Sequence, residues 1–176
     1  YYADRCHNTG CNSSEYSSGK KVEMSESVFS QIEEITSIIY GYLLRSVWLN
    51  IFDKEKRLLL VKNKSGWTLP GGKPESNEQP LDTLYREVLE EASVSVSDPK
   101  FLGFVKVTAS GSKQVFSQLR YIALLRKSLA FADEYETSER IFVKLNELEN
   151  YISYYNGKTF KLQLESALSV LRGLSN

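Results

Sequence analysis

The chain has 176 residues, enough for one domain with a substantial core. A hydrophobic content of 41% and a charged content of 25% exclude a disordered or fibrous chain. With 22 basic and 22 acidic residues the formal net charge is +0, so bulk charge gives no reason to expect a nucleic-acid or anionic-membrane partner.

Residues 1–24 are rich in Ser, Asn, Gly and charge and read as a flexible N-terminal segment, with residues 25–176 forming one domain. Cys6, His7 and Cys11 offer at most three ligands where a structural zinc needs about four. Two ordinary thiols are the preferred reading, with a disulfide as the alternative in an oxidising compartment. Tyr1-Tyr2-Ala3-Asp4-Arg5 lacks an apolar leader, which favours a cytoplasmic protein. The other reading is a secreted protein, slightly supported by the cysteines and by Asn12-Ser13-Ser14 as a glycosylation acceptor.

Val28, Ile32, Ile35 and Ile39 recur at helical spacing, with Ser30 and Glu33 as a capping box. Leu43 to Phe52 and Arg57 to Val61 read as the two strands of a hairpin around the polar turn 53–56. A second turn at 63–66 leads to Trp67 and the glycine-rich loop Leu69-Pro70-Gly71-Gly72-Lys73. The clearest helix covers Glu78 to Ala92. Leu81, Leu84, Tyr85, Val88, Leu89 and Ala92 give it one apolar face, and Pro80 suits its first turn.

Strands are expected at Phe101–Thr108, Val115–Leu125 and Ile141–Val143, the first two joined by the turn 109–112. A short helix over 144–150 follows. Leu162, Leu164, Ala167, Leu168 and Leu171 mark a closing amphipathic helix. Mixed strands with inserted helices argue an α/β or α+β domain. The longest apolar runs, such as Leu58-Leu59-Leu60-Val61, are too short to span a bilayer.

On the 78–92 helix, Glu87, Glu90 and Glu91 stand at i, i+3 and i+4, on one stripe. Like charges so placed cost roughly 0.2–0.5 kcal/mol per pair. Acidic helix faces are usually solvated surface, but here Gly72, Glu78 and Arg86 accompany the cluster in register. Hard cations such as Mg²⁺ take oxygen ligands and share them with substrate phosphates. Such ions clamp phosphate oxygens and lower the pKa of bound water, which is the chemistry that phosphoanhydride hydrolysis needs. Glu90 and Glu91 are the leading ligands, and Glu87 is ligand or base.

The run Gly72, Glu78, Arg86-Glu87-Val88-Leu89-Glu90-Glu91-Ala92-Ser93-Val94 resembles the Nudix box, G-x5-E-x7-R-E-U-x-E-E-x-G-U with U aliphatic. It covers 23 of 176 residues and departs only at Ser93, where the family has glycine. The resemblance implies a Nudix-type mixed β-sheet sandwiched between helices. It implies hydrolysis of a diphosphate linkage in a nucleoside diphosphate derivative: a nucleoside triphosphate, an oxidised nucleotide or a nucleotide sugar. It further implies Mg²⁺ or Mn²⁺ held by Gly72, Glu87, Glu90 and Glu91. Arg86 would pair with a box carboxylate, and Glu78 would be an auxiliary ligand or a partner of Arg86.

A further base or ligand is expected from the late stretch holding Glu134, Glu136 and Glu139, with Glu139 the first choice. Lys73 could reach a phosphate or be solvated. Trp48, Phe52, Tyr121 and Phe142 are aromatics that could stack on a base, while Trp67 is read as a packing residue. Subfamily marks for ADP-ribose, dinucleoside polyphosphates and NADH are missing. A nucleotide-binding sensor without turnover is the alternative function, and a homodimer is compatible with the resemblance.

Overall fold

The structure, a computed structural model, describes residues 15–17, 20–24, 43–108, 114–131 and 136–174. The helix expected over 28–39, the turn 109–112, Cys6, His7, Cys11, Asn12 and Glu134 lie outside the described residues.

Ten strands run in chain order among the described residues. They are β1 (Glu15–Ser17), β2 (Lys20–Met24), β3 (Leu43–Phe52), β4 (Leu58–Asn63), β5 (Gly66–Thr68), β6 (Gly71–Gly72), β7 (Val94–Val96), β8 (Lys100–Thr108), β9 (Val115–Ser128) and β10 (Glu139–Val143). Helix α1 (Pro80–Ala92) follows β6; a 3-10 turn (Leu145–Asn150) and helix α2 (Lys158–Leu174) close the chain. The main path across the sheet is β1-β2-β8-β9-β3-β4-β10, with β5 on β4, β6 on β3 and β7 on β9.

β3 is the strand that positions the site. One edge pairs in parallel with β9, from Leu43 opposite Phe116 to Phe52 opposite Leu124. Its other edge meets β4 only at Phe52 opposite Leu58, then diverges and receives the glycine loop instead: Val47 pairs Gly72 and Trp48 pairs Gly71. The expected hairpin thus exists, but it opens at once, and the gap holds β6. The turn is closed by Asp53, whose carboxylate accepts from Arg57 N at 2.8 Å and from Arg57 Nε at 2.7 Å.

The apolar runs are continuous because both faces of the sheet are covered. Side chains alternate with period two. Leu49, Ile51, Leu59 and Val61 pack in one core with Leu84, Val88 and Ala92 of α1. Phe52, Leu58, Leu60 and Ile122 pack in the other with Phe160, Ala167 and Leu171 of α2. This is the mixed sheet between helices that the sequence leads one to expect.

Three details differ from the sequence reading. The segment up to residue 24 contains β1 and β2, and β2 pairs Lys21–Met24 with Thr108–Val105 of β8; a sheet edge supplies backbone partners that local composition does not reveal. β7 is not among the strands expected from the sequence, yet Val94–Val96 pairs with β9. On α1 only part of the apolar face is covered: Leu84, Val88 and Ala92 are buried, whereas Leu81, Tyr85 and Leu89 are exposed. Among the described residues no helix is long and apolar enough to cross a membrane.

Candidate active site

The glycine loop and α1 meet along β3. Gly71 has φ +147°, and a β-carbon there would run into the Val47 carbonyl and Trp48 Cα. Only glycine permits this close approach of two backbones. At Gly72 a β-carbon would occupy the space of the Glu87 carboxylate. The two glycines therefore let α1 bring its acidic face against the loop.

Arg86 organises that face. Its Nε and Nη2 donate to Glu78 Oε1 and Oε2 at 2.9 and 3.0 Å, the fork geometry that favours arginine over lysine. Nη2 also donates to the Lys73 carbonyl at 3.1 Å. Nη1 lies 3.1 Å from both Glu87 Oε1 and Glu90 Oε2. One guanidinium thus ties the loop to three carboxylates. Glu78 also accepts from Thr83 Oγ1 at 2.8 Å and from Glu75 N at 2.9 Å. These bonds, that to Arg86 foremost, hold its pKa down at about 2, and the surrounding carboxylates raise that of Arg86.

Glu91 is held differently. Gly71 N donates to its Oε2 at 2.7 Å. Burial nonetheless pushes its pKa up to about 7, and the like charges of Glu87, Glu136 and Glu90 add to the rise. Burial raises Glu87 as well, against the pull of Arg86. Crowded, partly desolvated carboxylates of this kind gain most from a cation.

The donors present are all oxygens, the set that suits Mg²⁺ or Mn²⁺ rather than a soft metal. Among the described residues no group of three acidic side chains yet converges on a single point. Arg86 engages Glu87 and Glu90, and the Gly71 amide engages Glu91. The residues fit the ion by donor type and crowding.

The C-terminal end of α1 is fixed from outside. Ser93 takes the left-handed conformation, φ 48° and ψ 47°, with its N–H bonded to Leu89 O. Serine thus fills the C-cap where the Nudix pattern has glycine. Thr137 Oγ1 donates to the Glu91 carbonyl at 2.6 Å. Arg140 donates to the carbonyls of Ala92 and Ser93, and to Leu129 O at 2.7 Å. These contacts come from distant sequence, so no local pattern could have revealed them.

A cleft of about 1050 Å³ opens over this region. Gly72, Arg86, Glu87, Glu90 and Glu91 all line it, so the predicted box residues come together. Arg45, Lys64 and Lys73 line the same cleft, three cations suited to a polyphosphate. Arg45 and Lys64 went unnoticed in the sequence because they lie on β3 and a turn, outside any motif.

Glu139 stands apart from the box residues. It sits on β10 opposite Lys62, its carboxylate 2.6 Å from Lys62 Nζ, exposed and outside the cleft lining. The period-two alternation of β10 turns it away, whereas Glu136, before the strand, lines the cleft and raises the pKa of Glu91. Of the aromatics, Trp48 alone lines the cleft. Phe52 and Tyr121 are buried in the two cores, and Phe142 packs beneath Arg57. Trp67 meets Tyr151 edge-on at 5.9 Å, a packing role.

The profile of the NUDIX domain matches residues 43–162. YtkD of Bacillus subtilis (strain 168), provisionally named an 8-oxo-dGTP diphosphatase, is 34% identical over 93 residues, 53% of this chain and 58% of YtkD. The aligned region thus spans less than two thirds of that relative. The crystal structure of the Bacillus subtilis pyrophosphohydrolase BsRppH superposes with a TM-score of 0.67 at 23% identity, covering 86% of this chain and 92% of that one. The NUDIX domain of Shewanella oneidensis NrtR, complexed with ADP ribose, gives 0.56 at 17% identity over 78% of this chain and 98% of that one. A sheet between helices, a glycine loop packed against a glutamate helix and a domain match over most of the chain agree: the protein belongs to the NUDIX domain family.

Proposed function

We propose that the protein is a divalent-metal-dependent pyrophosphohydrolase that cleaves a phosphoanhydride bond in a nucleoside 5′-phosphate derivative. Nucleoside triphosphates, including oxidised ones, lead the substrate candidates; the 34% identity to YtkD supports that order. Nucleotide sugars come next. The observation that carries the reading is Arg86, which pairs with Glu78, Glu87 and Glu90 in a cleft whose lining includes Glu87, Glu90 and Glu91 together with Arg45, Lys64 and Lys73.

In this reading Glu87, Glu90, Glu91 and the Gly72 carbonyl hold Mg²⁺ or Mn²⁺. A bound ion supplies charge neutralisation on the phosphates and acidifies a water. The chain does the rest. Arg86 fixes the carboxylate rotamers through its contacts to the loop. The cleft cations attract the polyphosphate and orient it for in-line attack. The three helix glutamates share the tasks of ligand and base.

A second reading is a nucleotide-binding module without turnover. It is favoured by the engagement of all three carboxylates within the protein, which leaves no three of them converging. Incubating the protein with a nucleotide panel and Mg²⁺ or Mn²⁺, and measuring phosphate and pyrophosphate, separates the two. The hydrolase reading expects product release that is lost in folded Glu90→Gln and Glu91→Gln. Tight nucleotide binding with no product under either metal would overturn it.

A further inference from the structure

A second cavity of about 190 Å³ adjoins the cleft and shares Trp48 and Gln118 with it. It lies between the sheet and α2, with Leu69, Tyr154, Phe160 and Gln163 in its walls. Arg120, on β9, lines it and is only 9% exposed.

The environment of Arg120 is unusual. Its hydrogen-bond partners are neutral: Gln163 Oε1 at 2.8 Å from Nε, Gln118 Oε1 at 3.0 Å from Nη2 and Leu119 O at 3.3 Å from Nη1. The Trp48 ring centroid lies 5.8 Å from Cζ. Among the described residues no carboxylate pairs with it, and burial lowers its pKa to about 10. A desolvated cation without a counter-charge is unfavourable unless a ligand satisfies it. A guanidinium has five N–H donors. Among the described residues three are used, so each terminal nitrogen keeps one.

Resting on the hydrolase reading above, we infer that Arg120 reads the base of the nucleotide and selects a purine whose edge presents two acceptors. The walls argue for a base rather than a phosphate. Trp48 and Phe160 give flat apolar surfaces, while the phosphate-attracting cations stand in the neighbouring cleft. Guanine presents O6 and N7, both acceptors; adenine places a donor amino group beside N7, as the N7–H of an oxidised guanine also puts a donor on that edge. Arginine can only donate, so it accepts the first edge and leaves a donor facing a donor with the second. Gln163 holds the guanidinium in place: its Nε2 donates to Asn50 Oδ1 at 3.2 Å, and Asn50 Nδ2 donates to the Tyr121 carbonyl at 2.9 Å.

The test compares kcat/KM for GTP and ATP, and calorimetric Kd values for GDP and ADP, in the wild type, Arg120→Gln and Gln118→Glu. The second variant keeps Arg120 but offers it a carboxylate that competes with the base. The wild type should prefer guanine nucleotides by at least about tenfold. Both variants, shown folded by circular dichroism and thermal melting, should lose most of that preference. Should Arg120→Gln not fold, Gln118→Glu alone decides. Equal use of GTP and ATP by the wild type, or a guanine preference untouched in the folded variants, overturns the assignment and leaves the hydrolase reading standing. An equal loss of GDP and ADP binding also overturns it, since that marks a phosphate or structural role. Preferential GDP binding that depends on Arg120, with no turnover of any nucleotide, upholds the base site and overturns the hydrolase reading instead.

Discussion

The carboxylate of Glu87 lies where a β-carbon on Gly72 would stand. Loop and helix are therefore in contact through the absence of a side chain. Gly72→Ala should push Glu87 away from Arg86 Nη1, now 3.1 Å distant. A displacement of about 1 Å in a catalytic group can cost about 100-fold in rate. We expect kcat to fall by about that factor while the circular dichroism spectrum stays native. Wild-type kcat in a folded Gly72→Ala protein would show that the contact is dispensable.

Arg86→Lys keeps the charge and removes the fork. Lysine cannot bond both Glu78 oxygens and also reach the Lys73 carbonyl and Glu90. Loss of such an orienting partner typically costs about 10- to 100-fold in activity or metal affinity. The stability difference carries a pH signature. Arg86 foremost, with the Glu75 amide and the Thr83 hydroxyl, depresses the folded pKa of Glu78 from 4.5 to about 2. The stabilisation is complete above the unfolded value and disappears as the pH falls through the folded one. The Tm gap between wild type and Arg86→Lys should therefore shrink from pH 4.5 down to about 2, as melting curves across that range will reveal.

Glu91 has the opposite sign. Its folded pKa is raised from 4.5 to about 7. Below pH 4.5 the folded and unfolded states are both protonated and the group is neutral in its effect. As the pH climbs toward 7 the unfolded chain ionises first, so the folded state loses ground, on the order of 3 kcal/mol when complete. Glu91→Gln should accordingly melt higher than wild type at pH 8 without metal, since an amide oxygen can still accept from Gly71 N. Added Mn²⁺ should raise the wild-type Tm and leave that of the variant nearly unchanged. A variant less stable than wild type in metal-free buffer at pH 8 contradicts the burial argument.

Glu136 and Glu139 can be told apart by kinetics. Glu136 lines the cleft and acts on the charge of Glu91, whereas Glu139 is paired with Lys62 on the exposed surface of β10. Glu136→Gln should lower kcat by roughly tenfold. Glu139→Gln should remain within about twofold of wild type, as surface ion pairs contribute little. The reverse ranking would return Glu139 to the site.

What could be read from the sequence follows the range of the interactions. The α1 helix, its loop and the carboxylate stripe are local, set by spacings within Gly72–Val94, and they appear together in the cleft. The covered sheet was expected from the resemblance alone, and Leu58-Leu59-Leu60-Val61 proves apolar on both alternating faces because helices pack on each side. The parallel pairing of β3 with β9 was not, since residues 43–52 and 115–128 are far apart in the chain. Arg120 and Gln163, 43 positions apart, were invisible for the same reason. The exposure of Leu81, Tyr85 and Leu89 was misjudged because helical periodicity records an apolar stripe but not how wide a surface meets it.

Ser93 offers a test of the one departure from the box. It holds φ 48° and ψ 47° at the end of α1, where an L-residue costs about 1–2 kcal/mol and glycine nothing. Glycine would in turn loosen the unfolded chain, at about 0.4–1 kcal/mol. The backbone bonds of this position survive the change: its N–H to Leu89 O, and its carbonyl to Arg140 Nη1 and Leu129 N. Ser93→Gly should thus gain about 0.5–1 kcal/mol in urea unfolding, with kcat unchanged because the glutamates keep their places. A loss of stability would mean that the serine side chain outweighs the strain of its backbone.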